Sequence, residues 1–286
     1  MLPSEFRFSH TLRVRWVEVD MQKIVFNGHY LMYFDTGIAE YWRAIVMPYE
    51  DAMHALGGDL YVVKATLEYK ASARYDDRLQ VCLRCERVGT SSITFKGYIF
   101  CNGKLLVTGE LVYVYAYPAT QKSMPVPQAL RDLFLNFEAG KPMTRREAGN
   151  WETVGQAALA LRHQVFVEEQ GVPKEIEHDE FDLVAEHVVI FNQMNLPVAT
   201  GRLLPAQGGI SRIGRMAVNR VLRGSGLGEM VLKSLLDKAC SRGDLEVVLH
   251  AQTSAQDFYA KCGFKPDGAM FEEAGIEHIT MRKRLV

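Results

Sequence analysis

The start of the chain alternates between apolar and charged residues. Leu12, Val14 and Trp16 are apolar, whereas Arg13 and Arg15 between them are basic. Because successive side chains of a strand point to opposite faces, this alternation predicts a half-buried β-strand.

A different spacing follows this strand. From about Asn27 to Pro48, apolar residues recur at steps of three and four, which predicts a helix with one buried stripe. The stripe consists of Leu31, Phe34, Ile38, Trp42 and Ile45. Four strand-like runs come next, at Leu60–Lys70, Arg78–Val88, Ser91–Cys101 and Lys104–Tyr117. Asn102-Gly103 between the last two runs is a strong hairpin signal. One long helix followed by an antiparallel meander predicts an α+β domain.

The second half of the chain mixes helices and strands more evenly. A helix is predicted over about Glu152–Gln170, and an amphipathic helix follows a glycine-rich turn near Gly226. Strands are predicted at His187–Asn192, Pro197–Leu204, Ile213–Val218, Leu245–His250 and Ile279–Leu285, with a short helix around Tyr259. This order of elements predicts a mixed α/β domain.

A polar, proline-containing stretch separates the two patterns. Pro125, Pro127 and Pro142 punctuate it, with a short amphipathic helix at about Gln128–Phe137. We therefore expect a first domain over residues 1–138, a linker over 139–150 and a second domain over 151–286.

Composition and charge narrow the possible partners. The 286 residues are 48% hydrophobic and carry a formal net charge of −1, and neither half is strongly basic. A nucleic acid is therefore not an expected partner. The longest apolar run, Leu111–Tyr117, is too short to span a membrane, and the N-terminus has no signal core. We expect a soluble, cytoplasmic protein.

The cysteines do not form a recognisable framework. Cys82 and Cys85 make a lone C-x-x-C, without a second pair or a suitably spaced histidine. Buried structural thiols are therefore favoured over a zinc or redox site, and no metal is predicted.

The first candidate site is a carboxylate beside the start of a buried helix. Asp20 ends the predicted strand, and Asn27, Gly28, His29 and Tyr30 open the helix. The free N–H groups of a first helical turn can stabilise an oxyanion, while a nearby carboxylate can activate water or attack a carbonyl itself. The alternative is that Asp20 is a solvated loop residue and Asn27 an N-cap.

This segment resembles the active-site region of hotdog-fold acyl-CoA thioesterases related to 4-hydroxybenzoyl-CoA thioesterase and the YbgC/YbaW group. The resemblance rests on Asp20-x-x-x-Ile-Val-Phe-Asn-Gly-His-Tyr30-Leu31, on Glu68–Asp77 and on Val88–Ser92, and it covers about residues 8–138. It implies a long central helix wrapped by an antiparallel sheet, with an acyl-CoA as substrate. It also implies a homo-oligomer, a dimer or tetramer, with the site where two subunits meet around residues 66–73.

The resemblance also assigns roles to single residues. Asp20 falls on the catalytic carboxylate, and Asn27 falls where a side chain orients the carbonyl or the water. Backbone N–H groups at the helix start, with Gly28, His29 and Tyr30 as candidates, fall on the oxyanion site. Lys23 departs from the family, which usually has glycine there. A lysine at a turn that needs positive φ would strain the loop or shield the pocket.

The second candidate site is a glycine-rich loop between a strand and a helix. Its residues are Arg223, Gly224, Ser225, Gly226, Leu227 and Gly228. Backbone N–H groups and a helix N-terminus suit a pyrophosphate, and Arg223 can add a charge-assisted bond. A dinucleotide-binding turn is the competing interpretation, but several strands precede this loop, which does not fit that chain order.

The loop and the stretches around it are similar to the ElaA/YjcF-like branch of the GNAT N-acetyltransferases. The similarity rests on Arg215–Val218 before the Arg-x-x-Gly-x-Gly pattern, on Val165–Pro173 and on Phe258–Phe264, and it spans about residues 152–284. It implies acetyl-CoA as co-substrate and an amine as acceptor. It also implies that the backbone of Met216, Ala217 and Val218 pairs with the pantetheine arm, and that Tyr259 protonates the departing thiolate.

The general base of the second site stays open at this stage. Glu168, Glu169 and His250 are candidates, and His250 is equally compatible with a core histidine. Acidic residues also cluster nearby, and the ordinary interpretation of such a run is a solvated loop; they are Glu175, Glu177, Asp179, Glu180 and Asp182. Attraction of a cationic amine is the alternative.

Together the two sites predict a bifunctional CoA-handling enzyme. The first domain would hydrolyse an acyl-CoA and the second would transfer an acetyl group to an amine. A second hypothesis makes the first domain a dimerisation and acyl-CoA-sensing module without turnover. A third leaves both sites inactive in a structural fusion.

Overall fold

The computed structural model describes residues 2–285, and the contacts divide the chain after Met143 into two units. The strands of the first unit are β1 (Phe8–Arg13), β2 (Asp59–Tyr69), β3 (Arg78–Val88), β4 (Ser92–Cys101) and β5 (Lys104–Ala116). Its helices are α1 (His29–Ala44), α2 (Tyr49–Leu56) and α3 (Gln128–Glu138). The strands form one antiparallel sheet in the order β1-β3-β4-β5-β2. The predicted long helix and antiparallel sheet are confirmed. Strands β3, β4 and β5 form a meander as predicted, but β2 lies beside β5 and not beside β3.

The central helix lies close to the sheet at a pair of glycines. Gly97 and Gly109 are register partners on β4 and β5, and the buried ring of Phe34 lies over both. A Cβ atom at Gly97 would come within 2.4 Å of the Phe34 ring, and one at Gly109 within 2.7 Å. The absence of side chains at these two positions therefore allows α1 to pack at this distance.

Adding a methyl group at this contact should be unfavourable. We expect Gly97→Ala to lower the free energy of unfolding by about 1–3 kcal/mol, because a filled core must shift to accept it. The exposed strand residue Lys104 provides the control, since Lys104→Ala should change stability by less than about 0.5 kcal/mol. Hydrogen exchange of β4 and β5 in increasing urea measures both, and equal protection in the two variants would contradict the packing argument.

The structure corrects the sequence prediction at the entrance to α1. Strand β1 ends at Arg13, and Trp16 begins a short 3-10 turn with a side chain that is 75% exposed. The buried stripe of α1 starts at Tyr30, whereas Leu31 is exposed. Cys82 and Cys85 are free and buried, as predicted, and burial raises the pKa of the Cys85 thiol to about 12.

The second unit contains a mixed sheet. Its strands are β6 (Thr144–Gly149), β7 (Glu186–Asn192), β8 (Pro197–Leu203), β9 (Ile210–Val218), β10 (Glu246–Gln252), β11 (Lys265–Pro266), β12 (Phe271–Glu273) and β13 (Ile276–Arg284). Its helices are α4 (Trp151–Arg162), α5 (Lys174–Glu177), α6 (Leu227–Arg242) and α7 (Gln256–Lys261). The sheet order is β11-β13-β10-β9-β8-β7-β6, with β12 beside β13. The predicted mixed α/β domain is confirmed.

Two segments of this unit differ from the prediction. Residues 144–149, expected to be part of a polar linker, form the edge strand β6 and pair with β7. The first helix ends at Arg162, and the chain continues as a π-helix over His163–Glu169. Within residues 2–285, no helix combines the length and hydrophobicity needed to cross a bilayer.

Candidate functional sites

Asp20 lies in a tight turn of the loop that joins β1 to α1. Its Oδ1 accepts a hydrogen bond from the Gln22 N–H at 2.8 Å, while Oδ2 has no partner among the described residues. The Lys23 N–H donates to the Asp20 carbonyl at 2.9 Å, and Lys23 adopts φ +61°. The turn therefore requires the left-handed conformation that glycine favours, and lysine supplies it in this chain.

The start of α1 leaves one of the three oxyanion candidates free. The His29 N–H donates to the Phe26 carbonyl at 2.9 Å, and the Tyr30 N–H donates to the Asn27 carbonyl at 3.4 Å. The Gly28 N–H has no acceptor among the described residues. Of these three groups, Gly28 is consequently the available donor for an oxyanion.

Two hydrogen bonds anchor the start of the helix to the sheet. The Asn27 side chain is exposed, but the Asn27 backbone carbonyl accepts a hydrogen bond from the Tyr69 hydroxyl at 3.1 Å. The buried Tyr30 hydroxyl accepts from the Ala73 N–H at 2.8 Å, and burial raises the pKa of Tyr30. These bonds fix Asn27 against Tyr69, the last residue of β2, and Tyr30 against Ala73 in the loop that follows β2.

The sequence analysis missed Glu18, which holds the same loop from inside. Its carboxylate is 2% exposed and accepts from the Tyr33 hydroxyl at 2.7 Å and from the Arg15 N–H and Nε–H, also at 2.7 Å. Burial alone would raise the pKa of Glu18, but these hydrogen bonds outweigh it and lower that pKa. The Phe26 N–H donates to the Glu18 carbonyl at 2.9 Å. The spacing of Glu18 and Tyr33 in the sequence carries no signal of this contact.

In the second unit, β9 and β10 separate and leave a cavity. The two parallel strands pair only from Ile210 to Arg212 on β9. Arg215 then adopts φ +52°, where the pairing of β9 with β8 also shifts register. A cavity of about 290 Å³ lies at this opening, and its lining includes Met216 and Tyr259. Of the three residues predicted to pair with the pantetheine arm, Met216 lines the cavity, whereas Ala217 is buried and, like Val218, is not among the described lining residues.

The glycine-rich loop follows this strand, as the sequence predicted. Gly224 and Gly226 have φ values of +82° and +85°, which L-residues with side chains rarely adopt. Gly226 precedes the first residue of α6, and the N–H groups of Leu227 and Gly228 have no acceptor among the described residues. The Ser225 hydroxyl donates to the Leu222 carbonyl at 2.6 Å and stabilises the turn. The loop thus presents backbone donors suited to a phosphate.

Arg223, predicted to bind a phosphate, and Glu169, a candidate general base, form an ion pair with each other. The Arg223 guanidinium donates two hydrogen bonds of 2.7 Å to the Glu169 carboxylate. Glu169 does not line the cavity among the described residues, whereas His250 does. Glu168 is 62% exposed and lies 3.2 Å from the Nδ1 of His163. Of the three candidate bases, His250 therefore has the position that favours proton transfer.

If the glycine-rich loop binds the pyrophosphate of CoA, breaking the Arg223–Glu169 pair should strengthen that binding. Because this pair is partly exposed, its rupture costs at most about 1 kcal/mol, so Glu169→Gln should lower the Kd for CoA by about two- to fivefold. Arg223→Gln should raise that Kd instead. Calorimetric titration with CoA measures both variants, and a weaker affinity for Glu169→Gln would show that Glu169 helps to position Arg223 for the ligand.

Tyr259 and His250 have contrasting surroundings. Tyr259 is 7% exposed, its hydroxyl has no hydrogen-bond partner among the described residues, and burial raises its pKa well above the ordinary value. The phenol therefore stays protonated and able to donate. The His250 Nδ1 lies 3.0 Å from Glu273 Oε2 and 2.9 Å from Arg212 Nη2.

The acidic run near the first helix is a solvated loop only in part, since Glu175 and Glu180 are exposed. Three of its members take part in a network of ion pairs and hydrogen bonds, which we call the buried ion-pair network. Its members are Arg162, Glu177, Asp179, Asp182, Arg202 and Arg215. Arg162 and Asp182 are 1% and 0% exposed. Burial alone would raise the pKa of Asp182, but the bonds from Arg162 and Arg202 hold it well below its ordinary value.

Comparisons with known proteins match each half of the chain to a different family model. A GNAT acetyltransferase domain model matches residues 150–285, and a thioesterase superfamily model matches residues 22–108, beginning just after Asp20. YjcF of Bacillus subtilis, described as an uncharacterized N-acetyltransferase, is 36% identical over 44% of this chain and 89% of its own length. Protein ElaA of Escherichia coli is 34% identical over 46% of this chain and 87% of its own length. A solved thioesterase-superfamily structure from Jannaschia sp. CCS1 is 25% identical, with a TM-score of 0.44, and the match covers 47% of this chain and 94% of that chain.

The fold and the matches together define the class of protein. The chain belongs to the GNAT acetyltransferase family through its second half. Its first half has a hotdog fold and matches the thioesterase superfamily model over residues 22–108. Proteins of both families act on CoA thioesters, so CoA-linked hydrolysis and acetyl transfer are the activities to consider. Among residues 2–285, no group of three histidine, cysteine or acidic side chains is arranged to hold a metal.

Proposed function

We propose that this chain is a bifunctional enzyme that hydrolyses an acyl-CoA in its first half and acetylates an amine in its second. One shared observation carries the proposal. Each half has backbone N–H groups without a partner, among the described residues, at the start of a long helix: Gly28 before α1, and Leu227 and Gly228 at α6. Such groups stabilise an oxyanion in the first case and bind a phosphate in the second.

In the first half, Asp20 is the proposed base or nucleophile. Its free Oδ2 takes a proton from water, the water oxygen attacks the thioester carbonyl, and the Gly28 N–H stabilises the oxyanion. The carbon–sulfur bond then breaks, and the thiolate takes up a proton to leave as CoA. Direct attack by Asp20 would give a mixed anhydride, which water hydrolyses to the same products.

In the second half, the glycine-rich loop is proposed to bind the pyrophosphate of acetyl-CoA. The backbone of Met216–Val218 pairs with the pantetheine arm. The amine nitrogen attacks the acetyl carbonyl, His250 accepts the amine proton, and the carbon–sulfur bond breaks. Tyr259 supplies the proton that converts the thiolate into the thiol. The missing hydrogen-bond partner of its hydroxyl and its position in the cavity support this role.

The first half is proposed to assemble as a homodimer or tetramer. Strand β2 is an edge strand of eleven residues, and its side chains Val62, Val63 and Tyr69 are at least half exposed. An exposed apolar edge of this length is a template for pairing with another strand. A second copy of the chain would cover it.

A second candidate function has its own support in the geometry. Lys23 occupies the left-handed position where the family has glycine, and two of the three N–H candidates are engaged in the turn. These observations favour a non-catalytic module that binds an acyl-CoA without cleaving it, with the acetyltransferase as the one active site.

Two measurements separate these possibilities. Free thiol release from short, long and aromatic acyl-CoAs tests hydrolysis; binding of an acyl-CoA without thiol release would replace the thioesterase proposal with the sensing one. Calorimetry with acetyl-CoA tests the second half. There Gly226→Glu should abolish measurable binding, because it places a side chain and a negative charge at a residue with φ +85°. Unchanged affinity would refute the phosphate site.

A further inference from the structure

A wider groove adjoins the cavity of the second half. It has a volume of about 610 Å³ and shares Arg212, Gly214, Arg215 and Glu273 with the cavity lining. A molecule whose amine reaches His250 in the cavity can therefore extend into this groove. Its lining also includes Phe181, whose ring is half exposed.

One arginine of the groove forms no direct ion pair among the described residues. Three of its four arginines are paired with carboxylates: Arg202 with Asp179 and Asp182, Arg215 with Asp179, and Arg282 with Glu246 and Asp267. Arg212 is exposed and forms no direct ion pair with a carboxylate among the described residues, although, against burial and together with His250, it helps to lower the pKa of the nearby Glu273. Its Nη2 lies 2.9 Å from Nδ1 of His250, and that same nitrogen is 3.0 Å from Glu273 Oε2.

We infer that the acceptor of the acetyl group is a small amine that carries its own carboxylate and an apolar body, and that Arg212 binds the carboxylate. The inference rests on the proposed acetyl transfer and specifies its substrate. A guanidinium binds a carboxylate through charge-assisted hydrogen bonds, and Phe181, Val184 and Ile210 offer exposed apolar surface to the rest of the molecule.

The contacts of His250 connect this binding to the chemistry. Nδ1 cannot accept a hydrogen bond from Arg212 and donate one to Glu273 at the same time. When the substrate carboxylate takes Arg212, Nδ1–H is left to donate to Glu273 Oε2, which lies 3.0 Å away. Nε2 then carries the lone pair that accepts the amine proton. Arg212 is thus a specificity residue, and Glu273 is a positioning residue for His250.

The test compares amines that differ only in the carboxylate. Acetylation of leucine and 3-methylbutylamine, and of phenylalanine and phenethylamine, is followed by mass spectrometry with acetyl-CoA and the full chain. We expect kcat/KM to favour the amino acid by about 10- to 100-fold, the range of a hydrogen bond to a charged group. Arg212→Gln should remove this preference, and Arg284→Gln, which makes the same charge change outside the groove, should retain it. Equal rates for the paired amines with wild type would overturn the inference.

A binding measurement separates this inference from the proposed reaction. N-acetyl-leucine and N-(3-methylbutyl)acetamide are titrated into wild type and Arg212→Gln in the presence of CoA. Tighter binding of N-acetyl-leucine that is lost in Arg212→Gln supports the carboxylate site, even if no amine is acetylated and the transfer proposal fails. Equal binding of the two compounds to wild type refutes the site, whatever the rate of transfer.

Discussion

Asp20→Asn is expected to lower the rate of acyl-CoA hydrolysis by about 10²- to 10⁴-fold, the usual contribution of a general base. The substitution removes the carboxylate but keeps the shape of the side chain and its hydrogen bond within the turn. An asparagine Oδ1 accepts the hydrogen bond from the Gln22 N–H as the carboxylate does, so the turn is retained. The group at Oδ2 becomes an amide nitrogen, which neither takes a proton nor attacks a carbonyl. The measurement is thiol release at saturating acyl-CoA.

Asp76→Asn is the control for this substitution. Asp76 is another loop carboxylate in the same half, is exposed, pairs with Arg13, and has φ +70°, which asparagine tolerates. Its replacement should leave hydrolysis unchanged. If Asp20→Asn retains more than about a tenth of the wild-type rate, Asp20 does not supply the base. A single turnover in ¹⁸O-labelled water that places label in the Asp20 carboxylate identifies attack by that carboxylate, followed by hydrolysis of the mixed anhydride at the aspartyl carbonyl carbon.

Elements defined by local patterns could be predicted from the sequence. Strand β3 has the predicted bounds, and the Asn102-Gly103 hairpin forms with positive φ at both residues, because the turn chemistry is local. The strand–glycine loop–helix order of the second site is likewise visible in the spacing of its glycines. In each case neighbouring residues alone determine the geometry.

The sequence was less informative where distant parts of the chain decide the outcome. Residues 144–149 look like a polar linker, yet they form an edge strand, since one face of such a strand can be charged when β7 supplies the hydrogen bonds. Tyr30 rather than Leu31 is buried because its hydroxyl reaches Ala73, forty-three residues further along. Glu177 and Asp182 look solvated until Arg162 and Arg202 are brought to them by the fold.

Arg162→Met is expected to destabilise the second half by about 3–5 kcal/mol, because it leaves charged groups buried without their partner. Arg162 donates to Glu177 and to both oxygens of Asp182, and all three side chains are nearly inaccessible to water. The measurement is hydrogen exchange of β7 and β8 in increasing urea, which reports on the second half separately from the first. Protection of β3 and β4 should be unaffected.

The pH dependence of the same half follows from the lowered pKa values of Asp179 and Asp182. Burial opposes these shifts, but the bonds from the arginines outweigh it. A carboxylate whose pKa is lower in the folded state contributes stability above its unfolded pKa of about 3.9, and this contribution is lost as the pH falls toward the folded value. The second half of the wild type should therefore lose stability below about pH 5, and Arg162→Met should show a shallower loss over the same range.

Two further variants determine whether unpaired charge causes the loss of stability in Arg162→Met. Lys238→Met removes an exposed cation that pairs with Glu186, and it should change stability by less than about 1 kcal/mol. Adding Glu177→Gln and Asp182→Asn to Arg162→Met removes the orphaned charges and should recover part of the lost stability, since the three residues form one network. If Arg162→Met is no more destabilising than Lys238→Met, the network contributes little to folding. If the triple variant shows no recovery, the loss comes from packing of the Arg162 side chain and not from its charge.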